Sequence, residues 1–237
     1  MQIIGHRGAR NEAPENTLGG FQHLKDLGIT AVEFDLRQLQ DQTLVVIHDD
    51  DLERTTGIQY PIIKCDVTQL AQHNHCKLWP HWYQYEPTPV LEQVLNIIKD
   101  FSHIELEIKA VASMIDAQNL VQTLHQKLSK DWQDVLVITS FDEKVLQALQ
   151  HENSPFKRGL LVEDQPESAI HTALKLGCCQ IGWLNTLTTR QRVQDTHQAG
   201  LKVSVWTVNE PERALELQHW GVDGLITDVP SLMQKYL

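Results

Sequence analysis

Residues 156–208 read FKRGLLVEDQPESAIHTALKLGCCQIGWLNTLTTRQRVQDTHQAGLKVSVWTV. Three short runs rich in β-branched and other apolar residues, Phe156–Glu163, Cys178–Leu184 and Leu201–Val208, alternate with two stretches of helical apolar period, Pro166–Leu176 and Thr188–Ala199. Pro166 sits where a first helical turn is expected and Thr188 where an N-cap is expected. Gly177 and Gly200 sit where the helices should stop. Strand, helix, strand in succession calls for parallel pairing with a helical crossover.

The alternation extends both ways. Upstream, strand-like runs occupy Gln2–Gly8, Ala31–Gln38, Thr43–Asp49, His103–Ala110 and Asp134–Phe141, with amphipathic stretches at Thr17–Leu27, Thr88–Phe101, Ser113–Leu128 and Asp142–Gln150. Downstream, Asn209–Trp220 carries Pro211 near its first turn and Gly221 at its end, and leads into Val222–Thr227. About eight strand–helix units in 237 residues favour an α/β fold, the TIM (β/α)8 barrel, over an open doubly wound sheet. The Gly-rich dinucleotide fingerprint and the GxxxxGKS phosphate loop are both missing.

Two stretches interrupt this pattern. Only Leu39–Gln42 joins Ala31–Gln38 to Thr43–Asp49, too short for a crossover helix, so the pair is either a hairpin or includes an irregular strand. Asp50–Pro87 has no clean period and holds Tyr60, Trp79, Trp82, Tyr83 and Tyr85. It reads as a small lobe, residues 50–87, inserted after the third strand of a single domain covering 1–237. Trp79, Trp82 and Tyr83 are expected to form that lobe's own core rather than a substrate lip.

Composition narrows the function classes. The formal net charge of -11 is the wrong sign for a general nucleic-acid binder. No run of about 18 apolar residues could span a bilayer, and no basic amphipathic helix suggests a stable membrane association. The N-terminus lacks a signal-peptide pattern, and the four cysteines, Cys65, Cys76, Cys178 and Cys179, include no CxxC pair. These features predict a cytoplasmic protein in a reducing compartment. His73-Asn74-His75-Cys76 resembles half of a zinc site but has no matching second pair.

In a parallel barrel the chemistry collects at the C-terminal strand ends. There the sequence places His6, Arg7 and Glu15 after the first run, Glu33 and Asp35 in the second, His48-Asp49 after the third, and Glu105, Glu107 and Lys109 in the fourth. The two-residue period of a strand puts Glu33 and Asp35 on one face, and likewise Glu105, Glu107 and Lys109. Carboxylates from two strands are an oxygen donor set for a hard cation. Alternatively they face solvent, or pair with Lys109 and Arg37. His6 and His48 could work as general acid and base near neutral pH, with Asp49 either orienting one of them or capping the following turn. Arg7 beside Gly8 offers a guanidinium fork for phosphate oxygens.

The ordered set His6-Arg7-Gly8, Pro14-Glu15-Asn16-Thr17, Glu33-Phe34-Asp35, His48-Asp49, Glu107-x-Lys109, Val205–Asn209 and Gly224–Asp228 with Pro230 resembles the glycerophosphodiester phosphodiesterase family, in its compact cytoplasmic bacterial form. The resemblance runs from residue 3 to residue 230. It implies a TIM barrel with an insertion after the third strand. It also implies hydrolysis of glycerophosphodiesters to glycerol 3-phosphate and an alcohol with one divalent cation, Mg²⁺, Ca²⁺ or Mn²⁺. By the same resemblance His6 and His48 are the acid/base pair, and Glu33, Asp35 and Glu107 are the metal ligands. Arg7 and Lys109 hold phosphate oxygens, Glu15 lies near the metal or the glycerol end, and Trp206 forms an apolar wall. Glu105 has no role in the pattern; it is a candidate either to support a site residue from behind or to pair with Arg37. Rival readings are a lysophospholipase-D-like activity on lipid diesters and a non-catalytic phosphodiester-binding barrel.

Overall fold

A computed structural model describes residues 1–237. Its strands are β1 (Gln2–His6), β2 (Ala31–Gln38), β3 (Leu44–Val46), β4 (His103–Ile108), β5 (Leu136–Ser140), β6 (Lys157–Val162), β7 (Gln180–Leu184), β8 (Lys202–Trp206) and β9 (Gly224–Thr227). Its helices are α1 (Leu18–Asp26), α2 (Glu53–Thr56), α3 (Val67–Leu70), α4 (Leu91–Ile97), α5 (Met114–Lys127), α6 (Glu143–His151), α7 (Ala169–Lys175), α8 (Arg190–Gln198), α9 (Pro211–Trp220) and α10 (Pro230–Met233). All strands but β3 pair in parallel, and β1 closes the ring by pairing with both β9 and β2. This is the TIM barrel. β3 pairs antiparallel with β2, so the short Leu39–Gln42 connection is a hairpin and β3 lies outside the ring. No helix is long and apolar enough to cross a membrane.

Local chemistry explains the element ends. Thr17, Ser113 and Asp142 accept backbone N–H bonds at the starts of α1, α5 and α6. Two expected starts shift. Thr189, not Thr188, caps α8, while the Thr188 hydroxyl bonds the Leu184 carbonyl. Pro166 lies in a turn before α7, which begins at Ala169. Gly221 ends α9 at φ 88°, a left-handed conformation that costs glycine nothing.

The barrel strands divide their side chains by parity. Val32, Phe34 and Leu36 of β2, with Ile104, Leu106 and Ile108 of β4, point out into a core of 46 buried residues between sheet and helices. The opposite faces, with Glu33, Asp35, Glu105 and Glu107, point inward. The lobe has a different core from the aromatic one expected. Leu52, Ile62, Cys65 and Leu70 pack on Leu39, Val45 and Ile47 of the hairpin. Tyr83 is 94% exposed. Trp79 and Trp82 are half-buried seams, donating their indole N–H groups to the Arg10 carbonyl and the Glu86 carboxylate. An apolar core was cheaper to build from aliphatic residues of the adjoining hairpin than from rings that each need a polar partner.

Candidate active site

Register brings the acids together. In the β1–β2 pairing His6 lies opposite Glu33, and in the β2–β4 pairing Asp35 lies opposite Glu107. Glu33, Asp35 and Glu107 each offer a carboxylate oxygen within 4.8 Å of the others, and all three are buried. This excludes the solvent-edge reading. His6, Arg7, Glu33, His48, Glu107 and Lys109 line one cavity of about 290 Å³ at the mouth, and Trp206 faces them across it. Asp35 is fully buried beneath the cavity, and Glu15 lies behind Arg7.

The cluster is electrostatically uneven. Burial would raise the Asp35 carboxyl, but Arg7 and Lys109 override it and hold it well below the usual carboxylate range. Arg7 Nε stands 3.1 Å and Lys109 Nζ 2.7 Å from its oxygens, and Asn16 donates to it at 2.7 Å. Lys109 also pairs with Glu107. Burial, then repulsion from Asp35, pushes Glu107 up to about 7 and Glu33 well above its ordinary value. Glu33 Oε1 is buried without a hydrogen-bond partner. An oxygen-only donor set, short of positive charge and with an orphan lone pair, fits a hard divalent cation.

The loop that carries these groups is strained. Arg7 and Asn16 adopt φ of 52° and 55°, unusual for residues with a Cβ. Asn16 N–H donates to the Arg7 carbonyl at 2.9 Å, and Arg7 N–H donates to Glu33 at 3.1 Å. Gly8 follows at φ 90°, and its ideal Cβ would come within 3.1 Å of Gly20 backbone. The local distortion aims Arg7 across the cluster instead of out to solvent.

Both histidines are oriented by carboxylates. His6 Nδ1 lies 2.6 Å from Asp228 Oδ1, and His48 Nδ1 lies 2.8 Å from Asp49 Oδ1. Burial lowers the His6 pKa, with Asp228 opposing the shift. Asp228 is itself held by Asn209 Nδ2 at 2.8 Å. Asp228, Asn209 and Arg54 contact these groups directly, and the sequence alone assigned them no role. Arg54, from α2 of the lobe, reaches both Glu15 oxygens at 2.7 and 2.8 Å and Asp49 at 2.6 Å. Glu15 therefore binds Arg7, Arg10 and Arg54 and is not one of the three clustered carboxylates. Burial would raise its carboxyl, but Arg54 and Arg7 hold it at about 2. The Gly224–Asp228 motif was visible in the sequence, yet its link to His6, 222 residues away, was not.

Other candidates separate from the site. His75 is buried between the Thr55 and Thr88 hydroxyls, and Cys76 turns towards the Gln84 carbonyl, so the His73–Cys76 stretch forms no metal cluster. Glu105 bonds His103 and Ser204 lower in the barrel, whereas Arg37 donates to the His48 carbonyl, so these two are not partners. Trp206 packs edge-on against Phe141, with ring centroids 5.2 Å apart, giving the cavity its apolar wall.

Residues 6–232 match the profile of the Glycerophosphoryl diester phosphodiesterase family. A glycerophosphodiester phosphodiesterase of Caldanaerobacter subterraneus is 26% identical over 98% of this chain and 95% of its own. An Oleispira antarctica phosphodiesterase, solved in complex with the product sn-glycerol-3-phosphate, superposes with a TM-score of 0.89 at 28% identity, covering 100% of this chain and 96% of its own. A glycerophosphodiester phosphodiesterase from Thermotoga maritima gives 0.78 at 26% identity over 98% and 96%.

Proposed function

The chain belongs to the glycerophosphoryl diester phosphodiesterase family, and on that premise we propose that it hydrolyses glycerophosphodiesters to glycerol 3-phosphate and an alcohol by histidine acid/base catalysis, with one divalent cation held by Glu33, Asp35 and Glu107. The observation that carries this reading is the convergence of two carboxylate-oriented histidines on a cavity that also holds the three acids and two cations. A non-catalytic binding barrel would have no use for that pairing.

A bound Mg²⁺, Mn²⁺ or Ca²⁺ would supply the positive charge that lets a nucleophile approach an anionic diester. Arg7 and Lys109 grip the phosphate oxygens from opposite sides of the cluster and stabilise charge as it builds there. Each histidine donates Nδ1–H to its carboxylate, which leaves Nε2 for the substrate. One imidazole takes the proton of the nucleophile, water or the neighbouring glycerol 2-hydroxyl, and the other protonates the leaving alkoxide. Trp206 and Phe141 offer an apolar wall to the glycerol carbons. The lobe at 50–87 meets the site through Arg54 and lines the neighbouring cavity with Asp50, Pro61, Ile62 and Ile63. Four free cysteines support a reducing, cytoplasmic setting.

Replacement of either histidine by Ala tests the roles. Each should lower kcat by about 10² or more while leaving the thermal transition near that of the parent. A His48→Ala enzyme with near-parental kcat removes His48 from the chemistry.

A further inference from the structure

Beside the catalytic cavity lies a second, larger and open one, about 600 Å³, bounded by the β2–β3 hairpin, the lobe and the start of α5. Lys109 lines both. We infer that this second cavity receives the alcohol half of the diester and selects an uncharged, polyhydroxylated alcohol of cyclitol or sugar size; the inference rests on the reaction proposed above.

Barrel order sets the direction. β4, whose last residue Ile108 precedes Lys109, and β8, which ends at Trp206, lie four strands apart in the eight-strand ring, diametrically opposed. A glycerol half against Trp206 and a phosphate on the central cluster leave the alcohol to extend past Lys109, into the second cavity.

The lining selects the occupant. Leu39, Ile62 and Leu120 form a buried apolar floor for C–H faces. Around it, at the open rim, stand the exposed Gln40, Gln42 and Asn119, whose side-chain amides are free to exchange water for a ligand. Each amide offers donors and an acceptor, which is what vicinal hydroxyls require. Lys109 is already engaged by Asp35 and Glu107, which leaves Arg37 against Asp50 and Asp116, so an anionic alcohol is disfavoured. No aromatic ring lines the cavity, so a quaternary ammonium finds no π face. An acyl chain would leave the amides and charges desolvated and unpaired.

The test compares kcat/KM, with saturating Mg²⁺, for glycerophosphoinositol, glycerophosphoglycerol, glycerophosphocholine, a lysophosphatidylcholine and glycerophosphomethanol. The methyl ester fills no alcohol subsite. The parent enzyme should prefer the two polyol diesters to the choline diester by about 10-fold or more. Asn119→Ala and Gln40→Ala, both exposed positions, should each cost the polyol diesters about 3–10-fold through KM and leave the methyl ester unchanged. A preference for the choline or lysolipid substrate, or variants that lower all substrates alike, would overturn the subsite. Failure to hydrolyse any substrate, the methyl ester included, would overturn the reaction and the subsite with it.

Discussion

Arg54 joins the lobe to the catalytic floor, and its removal should be felt in both places. Arg54→Ala deletes a two-pronged contact with Glu15, at 2.7 and 2.8 Å, and a 2.6 Å contact with Asp49. Glu15, whose side chain is 3% exposed, keeps Arg7 at 2.9 Å and Arg10 at 3.3 Å. It is therefore weakened rather than orphaned. Hydrogen bonds to charged groups contribute about 1.5–3 kcal/mol net when buried, but the Arg54 side chain is one-third exposed and Glu15 keeps two other cations, so a loss of about 2–3 kcal/mol of stability is expected. In a chain of this length that is a fall in Tm of about 5–10 °C. Asp49 also loses its anchor and no longer holds the His48 ring in one orientation. A misaligned proton carrier should lower kcat about 10–100-fold, or about 1.4–2.7 kcal/mol of barrier. Arg54→Lys keeps the charge but not the fork and should fall between. The assay is steady-state release of glycerol 3-phosphate with saturating cation, beside a thermal melt. Arg54→Ala with the expected fall in Tm but kcat within about twofold of the parent would show that Arg54 only fastens the lobe.

Further outcomes follow from the same contacts. Asp228→Asn keeps the shape of the group that orients His6 but removes its charge; kcat should drop about 10-fold with little change in KM, and an unchanged kcat would remove Asp228 from the catalytic machinery. Burial lowers His75 to about 4, so the folded state binds fewer protons than the unfolded chain between that value and the ordinary 6.5. Its stabilising contribution is complete above about pH 6.5 and is lost as pH falls towards 4, by about 3 kcal/mol; denaturant titrations of His75→Gln should show a smaller loss across that window. Burial pushes the Cys178 thiol up to about 12, so it should react with thiol reagents at neutral pH only as fast as the fold opens.

Most of the fold was legible because barrel strands and their helices carry their own periods. The alternation Glu33-Phe34-Asp35 announced both the strand and the inward face, and its pairing with Glu107 followed once β2 and β4 were neighbours. The hairpin stayed ambiguous because four connecting residues exclude a crossover without fixing the pairing. The groups that orient the histidines were partly legible. Asp49 adjoins His48, but Asp228 reaches His6 only when the ring closes, and Arg54 reaches Glu15 only when the lobe folds back. The lobe's core was misread because its aliphatic residues are few and scattered and complete a core with hydrophobic side chains of the hairpin, while its conspicuous rings serve as seams or stand in solvent.

Hydrolysis through the three-carboxylate site can be decided by removing the cation. Enzyme stripped with EDTA should release no glycerol 3-phosphate from glycerophosphoglycerol. Mg²⁺, Mn²⁺ or Ca²⁺ should restore release in the parent but not in Asp35→Asn. Full release by the stripped enzyme, or restoration in Asp35→Asn to the parental rate, would contradict a metal-dependent phosphodiesterase built on Glu33, Asp35 and Glu107.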